Sequence, residues 1–259
     1  MKKNKKALKE KSLLRSELKS YKKKIVKAGK YIKEFLDETR APYLSFSGGK
    51  DSTVVASLVT KFYPDIPVIH IRNPELDIPE NLANVKKIAE NLNLNLEIIE
   101  CKKDPWIILN KQNNLFKELN NSSSKLNKIC FFEPLKMAVQ KRNYDGHFMG
   151  LRAEESRARK MNFKYNGFIY ERSNGMKVCC PINHLKGLDV FAYLFSNNIP
   201  IHSVYFKNDL GDPPERIRVG WWLPGEKTSK HGYCTWFKYY YPDLFNKLSI
   251  KFPEVRNYV

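Results

Sequence analysis

A tight glycine turn separates a short apolar run from an apolar helical run between residues 43 and 59. The run Tyr43–Phe46 predicts a buried strand, and the valine- and leucine-rich run 54–59 predicts a helix. Because glycine has no Cβ, the adjacent Gly48 and Gly49 let the backbone approach an anion closely. The amino terminus of the helix offers unpaired N–H groups and a positive dipole end, to which Lys50 adds a full charge. We therefore expect a strand–turn–helix unit that holds phosphate or sulfate.

The turn is not a Walker A loop, because its glycines are adjacent and Asp51 follows the lysine. Either Ser52 or Thr53 is expected to cap the helix. An ordinary strand–turn–helix with a polar corner is the alternative, but a six-residue polar string in this context favours a phosphate loop. The predicted phosphate-binding residues are Ser47, Gly48, Gly49, Lys50, Asp51, Ser52 and Thr53.

Short apolar runs alternate with helical segments along the middle of the chain. Strands are predicted at Tyr43–Phe46, Pro67–Ile71, Leu96–Ile99 and His147–Leu151, and helices at 53–62, 80–92, 131–142 and 187–197. This alternation predicts an α/β fold, in which a parallel twisted sheet carries helices on both faces. In such sheets ligands bind beyond the carboxyl ends of the strands, and the glycine turn lies at one of these ends.

The positive charge of the chain is concentrated at its amino terminus. Of the formal net charge of +19, residues 1–33 carry +12, from 14 Lys and Arg against two acids. A stripe with spacings of three and four residues predicts one amphipathic helix, formed by Leu14, Leu18, Tyr21, Ile25, Ala28, Ile32 and Phe35. The lysine-rich face is either the solvated side of a packed helix or a surface that binds RNA or DNA. A helix that lies on a membrane surface is the third alternative.

Three segments are predicted along the chain: a basic helical leader over 1–38, a nucleotide-binding domain over 39–205 and an irregular, aromatic and proline-rich extension over 206–259. The polar stretch 110–128 predicts a loop. No apolar stretch is long enough to span a bilayer, and the amino terminus lacks the apolar core of a signal peptide. Five scattered cysteines do not make a disulfide framework, so we expect a reducing cytoplasm as the compartment.

Two strings of residues resemble the motifs of a known family. Residues 47–52 (Ser-Gly-Gly-Lys-Asp-Ser) resemble the PP-loop of the adenine nucleotide α-hydrolase superfamily. Residues 150–159 (Gly-Leu-Arg-Ala-Glu-Glu-Ser-Arg-Ala-Arg) resemble the Gly-x-Arg-x-(acid)-Glu-Ser-x-x-Arg string of the phosphoadenosine phosphosulfate (PAPS) reductase-like family within it. The resemblance covers about residues 40–205 and implies a Rossmann-like fold. It adds further nucleotide-binding residues to the prediction, namely Gly150, Arg152, Glu155, Ser156 and Arg159, since arginine binds phosphate or sulfate bidentately.

The resemblance implies an enzyme whose ligand is ATP, adenylyl sulfate (APS) or PAPS. One chemistry is reductive release of sulfite from a sulfonucleotide. The other is cleavage of ATP to AMP and pyrophosphate with Mg²⁺ during sulfur transfer, for which nucleic acid bound through residues 1–33 is a candidate acceptor. Lys50 and Asp51 are the expected catalytic residues in the loop. The alternative is a non-catalytic nucleotide-binding module that acts through a protein or nucleic-acid partner.

The redox motif of the reductases is not recognisable in this chain. Their nucleophilic cysteine lies in a Glu-Cys-Gly motif, and the sequence contains no such motif. Cys234 next to Lys230 and His231 is the remaining candidate nucleophile, with a buried inert thiol as the other interpretation. The adjacent Cys179 and Cys180 have no accompanying C-x-x-C pair, so no iron–sulfur cluster is expected. The five histidines show no metal-binding spacing either.

Overall fold

A computed structural model describes residues 2–111, 115–116, 124–208, 217, 219–223 and 225–259, apart from the side chains of 2–4, 226 and 227. The strands are β1 (Pro42–Ser45), β2 (Pro67–Arg72), β3 (Asn95–Glu100), β4 (Gly146–Phe148), β5 (Ile169–Glu171) and β6 (Lys177–Cys179). The helices of the first part of the chain are α1 (Lys2–Glu17), α2 (Lys19–Asp37), α3 (Lys50–Val59), α4 (Asn81–Asn91), α5 (Pro105–Leu109) and α6 (Lys125–Asn127). Those that follow are α7 (Glu133–Lys141), α8 (Arg157–Asn166), α9 (Gly187–Ser196), α10 (Glu226–Ser229), α11 (Tyr233–Tyr240) and α12 (Pro242–Lys251). Short 3₁₀ turns lie at Ala153–Glu155, Ser203–Phe206 and Pro253–Tyr258, and a π-helical turn at Lys128–Phe132.

The strands form one sheet in the order β3-β2-β1-β4-β6-β5. β1 pairs in parallel with β2 and with β4, β4 pairs in parallel with β6, and β5 is antiparallel to β6. The chain runs from β1 outward to β3 and then returns to the other side of β1 as β4. The order therefore reverses between β1 and β4, and such a switch point opens a crevice beyond the carboxyl ends of the two strands. The predicted α/β fold with a parallel sheet is confirmed, with the antiparallel edge strand β5 as a feature that was not predicted.

All four predicted strands and all four predicted helices have counterparts with shifted ends. The sequence pattern does not predict β5, β6 and α8. Strands of three residues offer too few positions to show an alternation, and α8 buries none of its side chains, so it lacks an apolar stripe. Most of the predicted loop 110–128 lies outside the described residues, and its last part forms α6.

The amino-terminal leader consists of two helices, and the prediction of one continuous helix is wrong. Leu18 separates α1 from α2 because its backbone is extended (φ −67°, ψ 133°). The predicted apolar stripe holds within α2, which buries Tyr21, Ala28, Ile32 and Phe35. It does not continue into α1, where Leu14 is 74% exposed, because the extended residue interrupts the helical phase. α1 instead turns Leu8, Ser12 and Ser16 inward, against α9.

The contacts divide the chain into two compact units. The first comprises residues 1–70, 79–98 and 139–219, and the second comprises 71–78, 99–138 and 220–259. The predicted boundaries at 38/39 and 205/206 do not coincide with these units. The leader belongs to the first unit, because α2 buries its apolar side chains in the same core as β1, α3 and α9.

Aromatic packing characterises the second unit. The rings of Trp222 and Phe237 stack at a centroid distance of 5.4 Å, and Tyr233 stacks on Phe237 at 6.0 Å. The predicted aromatic extension is thus a helical structure over α11 and α12, while residues 209–216 of the predicted irregular stretch lie outside the described residues. Within the part of the chain that the structure describes, no helix has the length and apolar character needed to cross a membrane.

Candidate functional site

The glycine turn connects the carboxyl end of β1 to the amino terminus of α3. Gly48 has a left-handed backbone (φ +73°), and Gly49 is the residue that precedes the first helical residue, Lys50. The helix therefore begins earlier than predicted, and neither Ser52 nor Thr53 is its cap. Ser52 lies inside the first turn, where its hydroxyl donates to the Gly49 carbonyl oxygen at 3.0 Å. The first N–H groups of α3 point out of this end of the helix, as an anion site requires.

Three glycines leave room around the turn. A Cβ on Gly48 would lie 2.6 Å from a Val85 methyl carbon, and a Cβ on Gly150 would lie 2.7 Å from the Ser52 backbone nitrogen. A Cβ on Gly49 would lie 3.2 Å from the Tyr205 hydroxyl. Gly150 follows β4, so its close approach joins the ends of the two strands on either side of the switch point. The predicted sites 47–52 and 150–159 are brought together there.

A chain of ion pairs links the two strings. The Lys50 ammonium lies 2.8 Å from one Asp51 carboxylate oxygen, and Arg152 Nε lies 2.6 Å from the other. Arg152 also donates to Glu154 at 2.7 Å, and Glu154 accepts the Gly187 N–H at the start of α9 at 2.7 Å. Burial disfavours the charged form of Arg152 and so lowers its pKa, but the Asp51 carboxylate outweighs this effect and raises the pKa of the guanidinium above its ordinary value. Arg152 is therefore a buried, charged and fixed side chain.

Glu155, Ser156 and Arg159 shape the loop that follows β4. The Glu155 carboxylate accepts the Arg152 backbone N–H at 3.1 Å and forms an ion pair with Arg159. The Ser156 hydroxyl caps α8 by accepting the Arg159 backbone N–H at 3.2 Å. Arg159 keeps a third of its side chain exposed while it pairs with Glu155. Glu155 and Ser156 act on the loop backbone in this structure.

Hydroxyl groups stabilise the glycine turn from within. The Ser47 and Ser52 hydroxyls lie 3.1 Å apart, and the Ser47 hydroxyl accepts the Gly49 N–H at 3.2 Å. These bonds hold the turn in shape before any ligand binds. The Thr53 hydroxyl is buried, and among the described residues it has no hydrogen-bond partner.

Two residues of the site were not predicted, Tyr205 and Glu154. The Tyr205 hydroxyl accepts the Lys50 backbone N–H at 2.9 Å, although the two residues are 155 positions apart. No local pattern identifies such a partner, because a lone tyrosine after a proline turn is an ordinary core residue. Glu154 lies within the second string, but only the fold reveals that its carboxylate bridges Arg152 and α9.

Cys234 has the environment of an inert thiol. It is buried in the second unit, and its sulfur donates to the Ser229 hydroxyl at 3.3 Å. Burial raises the pKa of the thiol, which is the opposite of what a nucleophilic cysteine needs. The other four cysteines are buried as well. Among the described residues no group of three or more His, Cys, Asp or Glu is arranged to hold a metal ion; that the protein needs no iron–sulfur cluster stays a prediction.

The arrangement is suited to a polyanionic ligand. The amino terminus of α3, the Lys50 ammonium and the Arg152 guanidinium lie together beyond the carboxyl ends of β1 and β4. Asp51 keeps both cations in place, and Glu154 pairs with Arg152 as well, so the four charged side chains balance one another before a ligand binds. A phosphate group placed at the helix end would meet backbone N–H donors and fixed cations at once.

Comparison with known proteins gives consistent results. A family model described as the phosphoadenosine phosphosulfate reductase domain matches residues 41–253. An uncharacterised protein of Methanocaldococcus jannaschii is 30% identical over 221 residues, which are 84% of this chain and 49% of that protein. A phosphoadenosine 5'-phosphosulfate reductase of Xylella fastidiosa is 26% identical and covers 63% of this chain and 67% of its own length. A sulfate adenylyltransferase subunit 2 of Buchnera aphidicola is 27% identical, over 68% of this chain and 63% of its own.

A solved structure shares the fold. The crystal structure of a PAPS reductase from Candida auris, in a phosphate complex, superposes with a TM-score of 0.58 at 17% identity and covers 76% of this chain and 89% of its own. The chain spans about half the length of the M. jannaschii relative and about two thirds of the named enzymes. The resemblance inferred from residues 47–52 and 150–159 is confirmed. The chain belongs to the phosphoadenosine phosphosulfate reductase domain family, within the PP-loop superfamily.

Proposed function

We propose that this protein binds ATP through residues 47–53, the glycine turn and the start of α3, and cleaves it to AMP and pyrophosphate in a sulfur-transfer reaction. The observation that carries the proposal is the position of Lys50 and Arg152 at the amino terminus of α3, at the switch point of the sheet. Cleavage places negative charge on the departing pyrophosphate. Two fixed cations and a helix amino terminus stabilise that charge without having to reorganise.

Mg²⁺ is expected to arrive on the triphosphate, because both oxygens of Asp51 already pair with Lys50 and Arg152. The phosphate oxygens are the ligands that this ion prefers, and it would offset part of their charge. Asp51 then acts as the residue that orients the two cations toward the phosphates. Arg159, with its partly exposed guanidinium, is the residue of the second string that can reach further along the ligand.

Reduction of a sulfonucleotide is the alternative within the family, and the PAPS reductases among the relatives support it. That chemistry needs an accessible thiolate. Burial raises the pKa of Cys130 and of Cys180 to about 12, and it raises the pKa of Cys179 and Cys234 as well. The raised pKa values make these four thiols poor nucleophiles, which favours ATP cleavage over reduction. A nucleotide-binding module without its own catalysis remains the candidate from a different class.

Calorimetric titration with ATP, APS and PAPS, each with and without Mg²⁺, tests the proposal. We expect Mg-ATP to bind most tightly and Lys50→Met to weaken it at least about tenfold, since a charge-assisted contact to phosphate is lost. Lys177→Met is the matched control, because Lys177 pairs with Glu38 at the surface. A preference for PAPS without metal would instead support the reductase. Binding of Mg-ATP without release of pyrophosphate in the presence of candidate acceptors would support the module.

A second proposal concerns a nucleic-acid partner of the leader. Arg15 and Lys24 are occupied by Asp189, but most leader lysines face solvent. The exposed ones are Lys5, Lys6, Lys9, Lys11, Lys19, Lys22, Lys23, Lys27, Lys30 and Lys33. A surface of this charge supplies sequence-independent affinity for phosphate backbones.

Substitution is a cleaner test of this surface than deletion, because removing residues 1–33 would also remove the buried Ala28 and Ile32. We expect glutamine at Lys9, Lys19, Lys23 and Lys30 to weaken binding of a short RNA or DNA duplex and to reduce its salt dependence. The control is a variant with glutamine at four exposed lysines outside the leader, namely Lys86, Lys87, Lys102 and Lys103. Equal effects of the two sets would contradict a specific role of the leader.

A further inference from the structure

Tyr205 reaches the anion site from a distant part of the chain. It lies on the 3₁₀ turn Ser203–Phe206, and its hydroxyl oxygen accepts the Lys50 backbone N–H at 2.9 Å. The Lys50 ammonium lies 5.2 Å from the centre of the same ring. The hydroxyl is therefore placed at the first turn of α3, beside the N–H groups that make this end of the helix an anion site.

Packing fixes the position of this hydroxyl. Tyr205 is 1% exposed, and its ring meets Phe191 edge to face at a centroid distance of 5.8 Å. Gly49 leaves space for the hydroxyl, since a Cβ there would lie only 3.2 Å away from it. A side chain held in this way presents its hydroxyl at a constant place, which is what a preorganised binding group requires.

The proton of the hydroxyl has no acceptor among the described residues. The oxygen accepts from Lys50, but a tyrosine hydroxyl can also donate one hydrogen bond. Burial raises the pKa of Tyr205, and the nearby Asp51 carboxylate raises it further, so the proton is retained at neutral pH. A buried donor without an acceptor is unfavourable, and an oxygen of a bound phosphate would satisfy it.

We propose that Tyr205 is a ligand-binding residue, which donates its hydroxyl proton to a phosphate oxygen of the anion held at the amino terminus of α3. This inference rests on the proposed function of the turn 47–53. In the complex the Tyr205 oxygen still accepts the Lys50 N–H, while its proton bonds to the ligand. The hydroxyl thus accepts one hydrogen bond from the helix end and donates another to the phosphate. Two hydrogen bonds that share a hydroxyl in this way strengthen each other.

The test compares two conservative variants. Tyr205→Phe removes the hydroxyl and keeps the ring, and Tyr193→Phe is the matched control. Tyr193 is a buried tyrosine of the same unit whose hydroxyl also meets α3, at Ser57, 3.1 Å away and two turns from the site. Affinity for inorganic pyrophosphate and for Mg-ATP is measured by calorimetry, and thermal unfolding without ligand is recorded for each variant.

We expect Tyr205→Phe to lose at least about tenfold in affinity for both ligands, while Tyr193→Phe binds like the wild type. If Tyr205→Phe does not fold, site-specific 3-fluorotyrosine at position 205 replaces it; this residue keeps the hydroxyl and makes it a stronger donor, so affinity should rise. Three outcomes would overturn the inference and leave the proposed function standing. They are unchanged or tighter binding by Tyr205→Phe, unchanged or weaker binding by the fluorotyrosine protein, and an equal loss of affinity in Tyr193→Phe. A wild-type protein that binds neither ligand overturns both.

Discussion

Asp51 and Arg152 form a buried ion pair in which Nε of the arginine lies 2.6 Å from a carboxylate oxygen. The pair joins the turn after β1 to the loop after β4, so it crosses the switch point of the sheet. The second oxygen of Asp51 binds Lys50 at 2.8 Å. One carboxylate therefore positions two cations from different segments, and the geometry of the anion site depends on it.

Asp51→Asn should lower the free energy of unfolding by about 2–4 kcal/mol, because the buried Lys50 loses its carboxylate partner and the buried Arg152 keeps only the half-exposed Glu154. Urea denaturation at neutral pH measures the change. Glu10→Gln is the control, since it removes a carboxylate from an exposed pair with Lys6 and should cost at most about 0.5 kcal/mol. Similar losses in the two variants would show that Asp51 does not organise the site.

Gly48→Ala should destabilise the protein more than Gly175→Ala. Both glycines have a left-handed backbone, with φ of +73° and +80°, which costs an alanine roughly 1–2 kcal/mol. A Cβ at Gly175 meets no atom within 4 Å, whereas at Gly48 it would lie 2.6 Å from a Val85 methyl carbon. The difference between the two urea midpoints isolates the steric part. Equal midpoints would mean that Val85 moves away without cost.

Local sequence patterns predict the strand–turn–helix unit and most of the sheet. The strand Tyr43–Phe46 and the glycine turn are short-range features whose residue types dictate their conformation. The break at Leu18 is different, since leucine has no local preference that ends a helix. The break at Leu18 accompanies the packing of α1 against α9, and no residue pattern within the leader predicts a contact with so distant a helix.

The chemistry of the site is predicted only in part for a similar reason. The sequence indicates that Lys50 and Arg152 are cations near an anion site. It does not indicate that Asp51 neutralises part of their charge or that Tyr205 occupies the first turn of α3. The contacts of Asp51 with Arg152 and of Tyr205 with Lys50 join residues 101 and 155 positions apart, so they follow from the fold and not from spacing along the chain.

The wild-type protein should lose stability as the pH falls below about 6.5, in part because of His147. Burial, together with a smaller effect of the Arg172 charge, lowers the pKa of this histidine to about 3. In the unfolded chain a histidine titrates near about 6.5. Between these two pKa values the unfolded state binds one more proton than the folded state. The contribution of the neutral His147 to stability is therefore present above about pH 6.5 and is lost as the pH falls toward 3.

His147→Gln should reduce this pH dependence by about 1 kcal/mol between pH 6 and pH 5, where one proton separates the two states. Urea denaturation at several pH values measures it. The exposed His231 supplies the control variant, His231→Gln, which should keep the wild-type slope. An unchanged slope in His147→Gln would mean that His147 is protonated in the folded protein.

Asp189, on α9, should hold the leader helices α1 and α2 in place within the first unit. Its side chain is fully buried and binds Arg15 of α1 at 2.7 Å and Lys24 of α2 at 2.6 Å. Burial raises the pKa of this carboxyl, but hydrogen bonds from Lys24, the Lys186 backbone and Arg15 outweigh it, so the net pKa is lowered. The stabilisation by Asp189 is therefore present above its pKa in the unfolded chain, which is about 3.9. It is lost as the pH falls through the lower pKa of the folded protein.

Asp189→Asn should raise the rate of amide hydrogen exchange in α1 at least about tenfold at neutral pH, because two cations lose their partner. Asp37→Asn, at an exposed carboxylate in the last turn of α2, should leave exchange in α1 unchanged. Arg15→Met should resemble Asp189→Asn in α1, since it breaks the same contact from the other side. If exchange stays at the wild-type rate in both variants, the packing of Leu8, Ser12 and Ser16 against α9 is sufficient to hold the helix, and the carboxylate contributes to α9 alone through the Lys186 N–H.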